Sequence, residues 1–302
     1  MSDILYSKLR LQVPQALDGV NATIISQAGN VRTVEMNSPI TDVMLAGMEK
    51  YRVRAGITEE DVSFGYGEIK KLQAVPVPDS LENASWDYIS DSIKSGTFSN
   101  LASVGDTKSF VMNGKTYHAE VVAINDGTGS AASWYPNKTV DFICKELYET
   151  KYSYNATDTN VGGFPSSEIK TTLNNTIYPL LPSDLKDVIT AKSHSYQAGR
   201  WSGGSWSSSM VTSADNLWLP TYYEIAGTTA SYAAGETSSN NKPYTLVSTV
   251  KNIVGGSASS WWLGSPSSGS SGNFWYAHRS DGFGSNGNAS LTLGLPLCFR
   301  IG

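Results

Sequence analysis

From about Lys192 to the end of the chain, short aromatic runs such as Leu217-Trp218-Leu219, Trp261-Trp262-Leu263 and Phe274-Trp275-Tyr276 alternate with glycine- and serine-rich stretches. Runs this short cannot sustain a multi-turn helix, and the small polar residues between them punctuate the chain as turns, so this part is expected to be strands joined by loops. Three stretches, 199–213, 227–242 and 264–290, exceed the usual loop length of about four to six residues. Long loops on a compact scaffold are usually functional or disordered. The third interleaves its polar residues with Phe274, Trp275, Tyr276, His278, Arg279 and Phe283, where a plain linker would lack aromatics. Tyr, Trp, Ser, Gly and Asn are favoured in antibody-like paratopes, because rigid rings give contact area at low entropic cost while small residues adapt. A contact surface is expected there.

The 302 residues leave room for two domains, or one large domain with an appendage. With 40% hydrophobic and 16% charged residues, the chain can bury a core. A net charge of −5 without a basic cluster leaves no electrostatic footprint for nucleic acid or an anionic membrane, so neither is expected as a partner. The opening MSDILYSKLRLQV does not read as a signal peptide, and no stretch of eighteen apolar residues occurs. Synthesis in a cytoplasm is expected, with any external role reached by a route other than a signal peptide, for instance inside an assembled particle. Cys144 and Cys298 are expected to be two buried small hydrophobes rather than a disulfide or a metal pair.

Residues 1–80 read as a separate module that carries most of the methionines. Asn37-Ser38-Pro39 offers an N-cap with proline in the first turn, and Ile40, Val43, Met44 and Met48 recur at helical spacing, which predicts a helix through about Arg54. Val75-Pro76-Val77-Pro78 cannot continue a helix and marks a boundary. Beyond it, Ser85 is expected to cap a helix bearing Trp86, Ile89 and Ile93. Phe110 to Met112, Asn113-Gly114 and the run from Lys115 predict a hairpin with a type I′ turn. Val140, Ile143, Cys144 and Leu147 suggest a helical face, on which Asp141, Glu146 and Glu149 would be solvated. Ile169, Leu173 and Ile177 suggest another, ended by Pro179. A short helix from Ser183 to about Ile189 follows, with Ser183 as its cap and Asp184 in its first turn.

Several segments carry a family resemblance. Trp261-Trp262-Leu263-Gly264-Ser265-Pro266, Asp281-Gly282 and the closing Gly294-Leu295-Pro296-Leu297-Cys298-Phe299-Arg300 resemble the C-terminal half of the C-type-lectin-like variable proteins that diversity-generating retroelements diversify in phages and gut bacteria. Leu173-Asn174-Asn175-Thr176-Ile177-Tyr178, Leu181 to Lys186, and Leu217-Trp218-Leu219-Pro220 with Glu224-Ile225 are similar to segments preceding that repeat. The resemblance covers about residues 85–302 and implies an α+β, C-type-lectin-like domain of the formylglycine-generating-enzyme-like subtype at 81–302, preceded by the small N-terminal module. A variable repeat would occupy about 261–302. It departs from the family at Gly264, where many relatives carry Arg, so either that position is itself varied or a salt bridge is absent.

Diversification in that family acts on adenines, through template codons such as AAC or AAT, which can never become Lys, Glu, Gln, Met or Trp. None of the first four types occurs in residues 252–302, although their frequency elsewhere predicts several. Glycine- and serine-rich loops are poor in charge in any case, so the absence supports the resemblance without standing alone. By the same logic Trp261, Trp262 and Trp275 are framework. Ser267, Ser268, Ser270, Ser271, Asn273, Tyr276, His278, Arg279, Phe283, Ser285, Asn286 and Asn288 are the expected contact residues, with Tyr276, His278, Arg279 and Phe283 foremost, since a hot spot wants a large side chain.

The resemblance thus implies a non-enzymatic protein, a virion or receptor-binding component that recognises a protein or glycan receptor on a cell surface. The N-terminal module would attach it to a phage particle or other assembly, and a homo-oligomer is expected, because avidity multiplies weak sites. His118, His194 and His278 are not at metal-ligand spacing, no Gly-x-Ser-x-Gly elbow occurs, and no carboxylate pair demands a glycosidase, so no metal, cofactor or catalytic residue is expected. The competing reading is an envelope carbohydrate-processing hydrolase, motivated by aromatic loops that could stack on sugars. A structural protein with no ligand is a third.

Overall fold

Among the described residues, six strands precede residue 64: β1 (Tyr6–Gln12), β2 (Asn21–Ser26), β3 (Val31–Glu35), β4 (Ile40–Ala46), β5 (Lys50–Ala55) and β6 (Thr58–Ser63). This corrects the helix expected through Arg54. The apolar spacing at 40–48 also fits a strand, and pairing with distant partners decides between the two: β4 lies antiparallel on β1, while β5 sits between β2 and β6. The order of the second sheet is β3-β2-β5-β6. Beyond these strands, the computed structural model describes residues 78–125, 138–200, 209–228, 236, 243–246, 248–282 and 284–302. The chain divides into two units, Met1–Pro78 and Asp79–Gly302.

The second unit mixes helix and strand in an α+β arrangement. Helix α1 (Trp86–Ser95) starts where the Ser85 hydroxyl accepts from the Tyr88 amide at 3.1 Å, and stops at Gly96, whose φ of 82° a side chain would oppose. The hairpin of β7 (Thr107–Met112) and β8 (Lys115–Asn125) turns at Asn113 and Gly114, both at positive φ, as the Asn-Gly pair predicts.

β9 (Thr139–Leu147) takes the place of the helix expected from Val140 to Leu147. Residues 139–144 are all buried, because β9 lies between neighbours in the antiparallel order β19-β9-β8-β7 and is covered on both faces. A strand buried on both faces carries apolar residues at odd and even positions alike, which helical spacing fits by accident. Its partner β19 (Pro296–Ile301) closes the chain. Trp86 packs edge-on against Phe110, Phe142 and Phe299, fixing α1 to this sheet.

After β10 (Tyr152–Ser153), Ser167 caps α2 (Glu168–Thr171), which runs on as a π-helical stretch, Thr172–Ile177. Ile169, Leu173 and Ile177 are fully buried, as their spacing predicts. Pro179 lies inside a 3₁₀ turn that follows, and α3 (Ser183–Val188) begins after Pro182, so Ser183 is its first residue and not its cap. Strands β11 (Lys192–Gln197) and β12 (Met210–Asp215) pair antiparallel. A capping box of Thr221 and Glu224 starts α4 (Tyr222–Ala226). β13 (Lys251–Asn252) pairs with β14 (Ala258–Ser259). Cys144 and Cys298 are both buried and free.

About half of the stretch expected as one long loop from 264 to 290 lies in a sheet of β15 (Trp261–Pro266), β16 (Asn273–Ala277) and β17 (Gly284–Asn288), followed by β18 (Thr292–Leu293), which pairs with β10. Its small residues are strand residues where a neighbour comes close. A Cβ on Gly284 would lie 2.2 Å from the Tyr222 ring.

Candidate functional site

The chain leaves the four-stranded sheet at Leu147 and returns to it at Pro296, and between these points lies the three-stranded sheet, whose Trp262 and Phe274 join the same core as Phe142 and Phe299. Both its faces are packed. Alternation along β16 sends Phe274 and Tyr276 to one side with Trp262, where Tyr154 stacks on Phe274 and meets Trp262 edge-on. It sends Trp275 and Ala277 to the other side with Trp261 and Leu263, under Tyr222 of α4. The indole nitrogens of Trp261 and Trp262 donate to the Thr249 and Tyr152 carbonyls, both at 2.9 Å. All three tryptophans are therefore buried framework.

The expected contact residues fall on this sheet and its margins in two groups. At one end lie Ser268, Ser270, Ser271, Asn273, Asn286 and Asn288, with Asn273 donating to Asn286 at 2.9 Å. At the other end, about 17 Å away for a strand rise of about 3.3 Å per residue, the hairpin turn carries His278 and Arg279. The cross-strand pair Tyr276 and Ser285, both half-buried, bridges the two. Ser271, Arg279, Asn286 and Asn288 are exposed. Ser267 is a correction: it is 1% exposed, and its amide donates to the Asn273 carbonyl to close the loop. Phe283 lies outside the described residues.

A cleft of about 280 Å³ adjoins the hairpin turn, lined by Tyr222, Ile225, Thr249, Leu263, Asp281 and Gly284. It gives the turn end an apolar floor with a carboxylate at the margin.

The opposite end is organised by residues that the sequence reading passed over. Asp158 accepts from the Ser290 amide and from Asn288 Nδ2, both at 2.9 Å, and these bonds hold its carboxyl below the usual range. Asn160 is fully buried and binds the loop between β15 and β16 through that loop's backbone. The polar run Asn155–Asn160 before Gly162-Gly163 reads only as a loop; its partners lie more than a hundred residues on, and nothing local announces them.

Beneath the surface lies a buried charge network. Arg300 of β19 donates from Nε and Nη2 to the two Asp141 oxygens, at 2.6 and 3.0 Å. Lys192 of β11 reaches Asp141 at 3.2 Å and Glu224 of α4 at 2.8 Å, with Tyr244 bonded to both Lys192 and Asp141. His194 meets Glu224 at 2.7 Å. Burial pushes the Asp141 carboxyl up, but Arg300 and Lys192 hold it down at about 2. Burial likewise works against the Glu224 anion, and His194 and Lys192 pull its pKa below the usual range. Burial lowers the His194 pKa against the opposing pull of Glu224. Asp141 is thus no solvated helix residue, as its spacing had suggested.

All these groups are buried, and their effect is to tie β9, β11, β19 and α4 together. Next to them Glu236, its pKa raised to about 8 by burial, accepts from the Ser265 hydroxyl. His118 on β8 is bonded to Glu146 at 2.9 Å, far along the chain from the other histidines. Among the described residues there is no cluster of three or more His, Cys, Asp or Glu that could hold a metal ion, and no helix long and apolar enough to cross a membrane.

Gly264 on β15 is buried. A Cβ there would lie 2.4 Å from Tyr196 Cε1 and 2.8 Å from the Leu219 carbonyl, so the position is an internal packing point with no room for a side chain.

Fold and site together define an α+β domain that carries a packed three-stranded sheet with polar and aromatic residues at its margins. Residues 138–302 match the family described as a domain of unknown function, DUF6273, and the chain belongs to that family. Neither the comparison with curated proteins nor that with solved structures yields a match.

Proposed function

We propose that this protein is a ligand-binding member of the C-type-lectin-like variable class, with the formylglycine-generating-enzyme-like variant of that fold. In this reading, the margins of the three-stranded sheet recognise a protein or glycan receptor on a cell surface. One observation carries it. Trp261, Trp262 and Trp275, which adenine-directed diversification cannot generate, are buried, whereas ten of the twelve residues assigned to contact are half-buried or exposed. Mutable positions are thereby separated from the positions that keep the sheet folded, the separation a diversified binder needs. The cleft under Tyr222 and Leu263 supports the reading by offering a large ligand side chain a desolvated floor.

In the same reading the protein is a phage receptor-binding or virion component made in a bacterial cytoplasm, residues 1–80 attach it to the particle, and copies act together as a homo-oligomer. The test is to sequence this gene from many individuals of one source population and map substitutions by codon. Changes are expected at Ser268, Ser271, Tyr276, His278, Arg279, Asn286 and Asn288, with Gly264 and the three tryptophans constant. Scattered changes, or none, would overturn the reading.

A further inference from the structure

We infer that Asn160 is the positioning residue of this surface, an internal amide that sets the path of residues 267–273 through their main chain and so leaves the side chains at 268 and 271 free to differ. The inference rests on the binding reading above for its purpose, but its structural content is independent of any ligand. The side-chain Nδ2 of Asn160 shares its two N–H groups among three carbonyl oxygens, Ser270 at 2.8 Å, Asn273 at 2.9 Å and, more weakly, Ser267 at 3.2 Å. The Asn160 amide donates to a fourth, Ser271, at 2.8 Å. One residue therefore binds four carbonyls of a seven-residue stretch.

The amide is itself fixed. Its Oδ1 accepts from the Arg200 amide at 3.0 Å, and Asn160 is 0% exposed. The chain at 199 comes so close that a Cβ on Gly199 would lie 1.9 Å from the Asn160 carbonyl. Asn155, five residues earlier, donates to the Thr159 carbonyl at 2.7 Å and closes the loop on itself. Asp158 holds the adjoining strand end through the Ser290 amide, and Gly272 packs against the Asp158 main chain.

The chemistry explains why an asparagine serves here. Three converging carbonyls present a concentrated negative potential that suits a donor with no acceptor of its own on that side, and a neutral amide meets it without burying a charge. A carbonyl is common to every residue type, so this clamp does not depend on which side chains the loop carries. Ser268 and Ser271 offer no side-chain bond to it and are half-buried and exposed, respectively.

The test uses amide hydrogen exchange on the full chain, comparing Asn160→Asp with the native protein and taking α1 as the internal reference. Asp keeps the shape but turns the donor into an acceptor. Amides of 267–273 and of Ala289 are expected to exchange at least about tenfold faster at pH 7, the factor set by losing one hydrogen bond of ordinary strength. The excess should shrink on acidification, because a protonated carboxyl again supplies one donor; a residue that only fills space would give no such recovery.

In the native background, Ser268→Tyr with Ser271→Arg should leave exchange of the loop within about twofold. If Asn160→Asp does not fold, Asn160→Ser, which keeps a single donor, is read for faster exchange of the same amides at pH 7 alone. Unchanged exchange in a folded Asn160 variant, or a loop loosened as much by the surface pair as by Asn160→Asp, overturns the inference. Population sequencing without variation would sink the binding reading and leave the clamp standing.

Discussion

Replacing Arg300 by Met isolates what the buried charge network contributes. Met fills much of the volume but removes the two bonds from Arg300 to Asp141, leaving that carboxylate with Lys192 at 3.2 Å and the Tyr244 hydroxyl at 3.1 Å. Lys192 must then serve two buried carboxylates, since Glu224 is already 2.8 Å away. Removing one partner of a buried pair costs about 3–5 kcal/mol, because the remaining charge has lost its compensation. For a unit of this size that lowers the melting temperature by roughly 10 °C.

Acid titration gives an independent sign. In the native protein the Asp141 pKa lies at about 2, below its ordinary 3.8. That depression contributes about 2 kcal/mol above pH 4, lost as pH falls from about 4 to about 2. Without Arg300, burial raises the carboxyl, so the variant regains stability relative to the native protein on acidification. Adding Asp141→Asn to Arg300→Met should recover much of the loss at pH 7, since no buried anion is then left short of a partner. Chemical denaturation of the three proteins at pH 3.5 and 7 measures this. A cost for Arg300→Met below about 1 kcal/mol, or a double variant no better than the single one, would refute the reasoning.

Glu236→Gln should stabilise the protein at neutral pH by on the order of 3 kcal/mol, because a carboxyl raised from 4.5 to about 8 favours folding fully only below its unfolded value and loses that advantage as pH rises towards 8. The gain should fade towards pH 5, and denaturant midpoints at pH 5 and 7 check it. Gly264→Ala should cost about 1–3 kcal/mol through overlap with Tyr196 and the Leu219 carbonyl, measurable as a lowered thermal midpoint; a neutral outcome would reopen position 264 as a surface site.

Local signals were read well where their chemistry is local. Ser85 before Trp86, Asn113-Gly114 between apolar runs, and Ile169, Leu173 and Ile177 each act within one or two turns of chain, and the elements follow. The two misread helices share one cause. Val140 to Leu147 and Ile40 to Ala46 have apolar residues at spacings that suit either period, and partners far along the chain, β8 and β19 for one and β1 for the other, make them strands. The candidate surface was legible in kind, as small polar residues interleaved with aromatics. Its division into two ends was not, because that depends on where β16 and β17 begin and stop. Ser267 was misplaced because a serine that closes a loop and one that faces solvent are the same letter.

What the sequence determined alone is the inventory: three tryptophans too large to leave outside a core, turn residues that fix where hairpins reverse, and a C-terminal stretch without Lys, Glu, Gln or Met. What only the tertiary structure decided is which polar groups are sealed inside and whom they meet. Asp141 finds Arg300 159 residues away, and Asn160 meets carbonyls up to 113 residues away. The physical reason is that a buried polar group is tolerable only with its partners, and those partners are supplied by the packing of whole elements, which no stretch of neighbouring residues encodes.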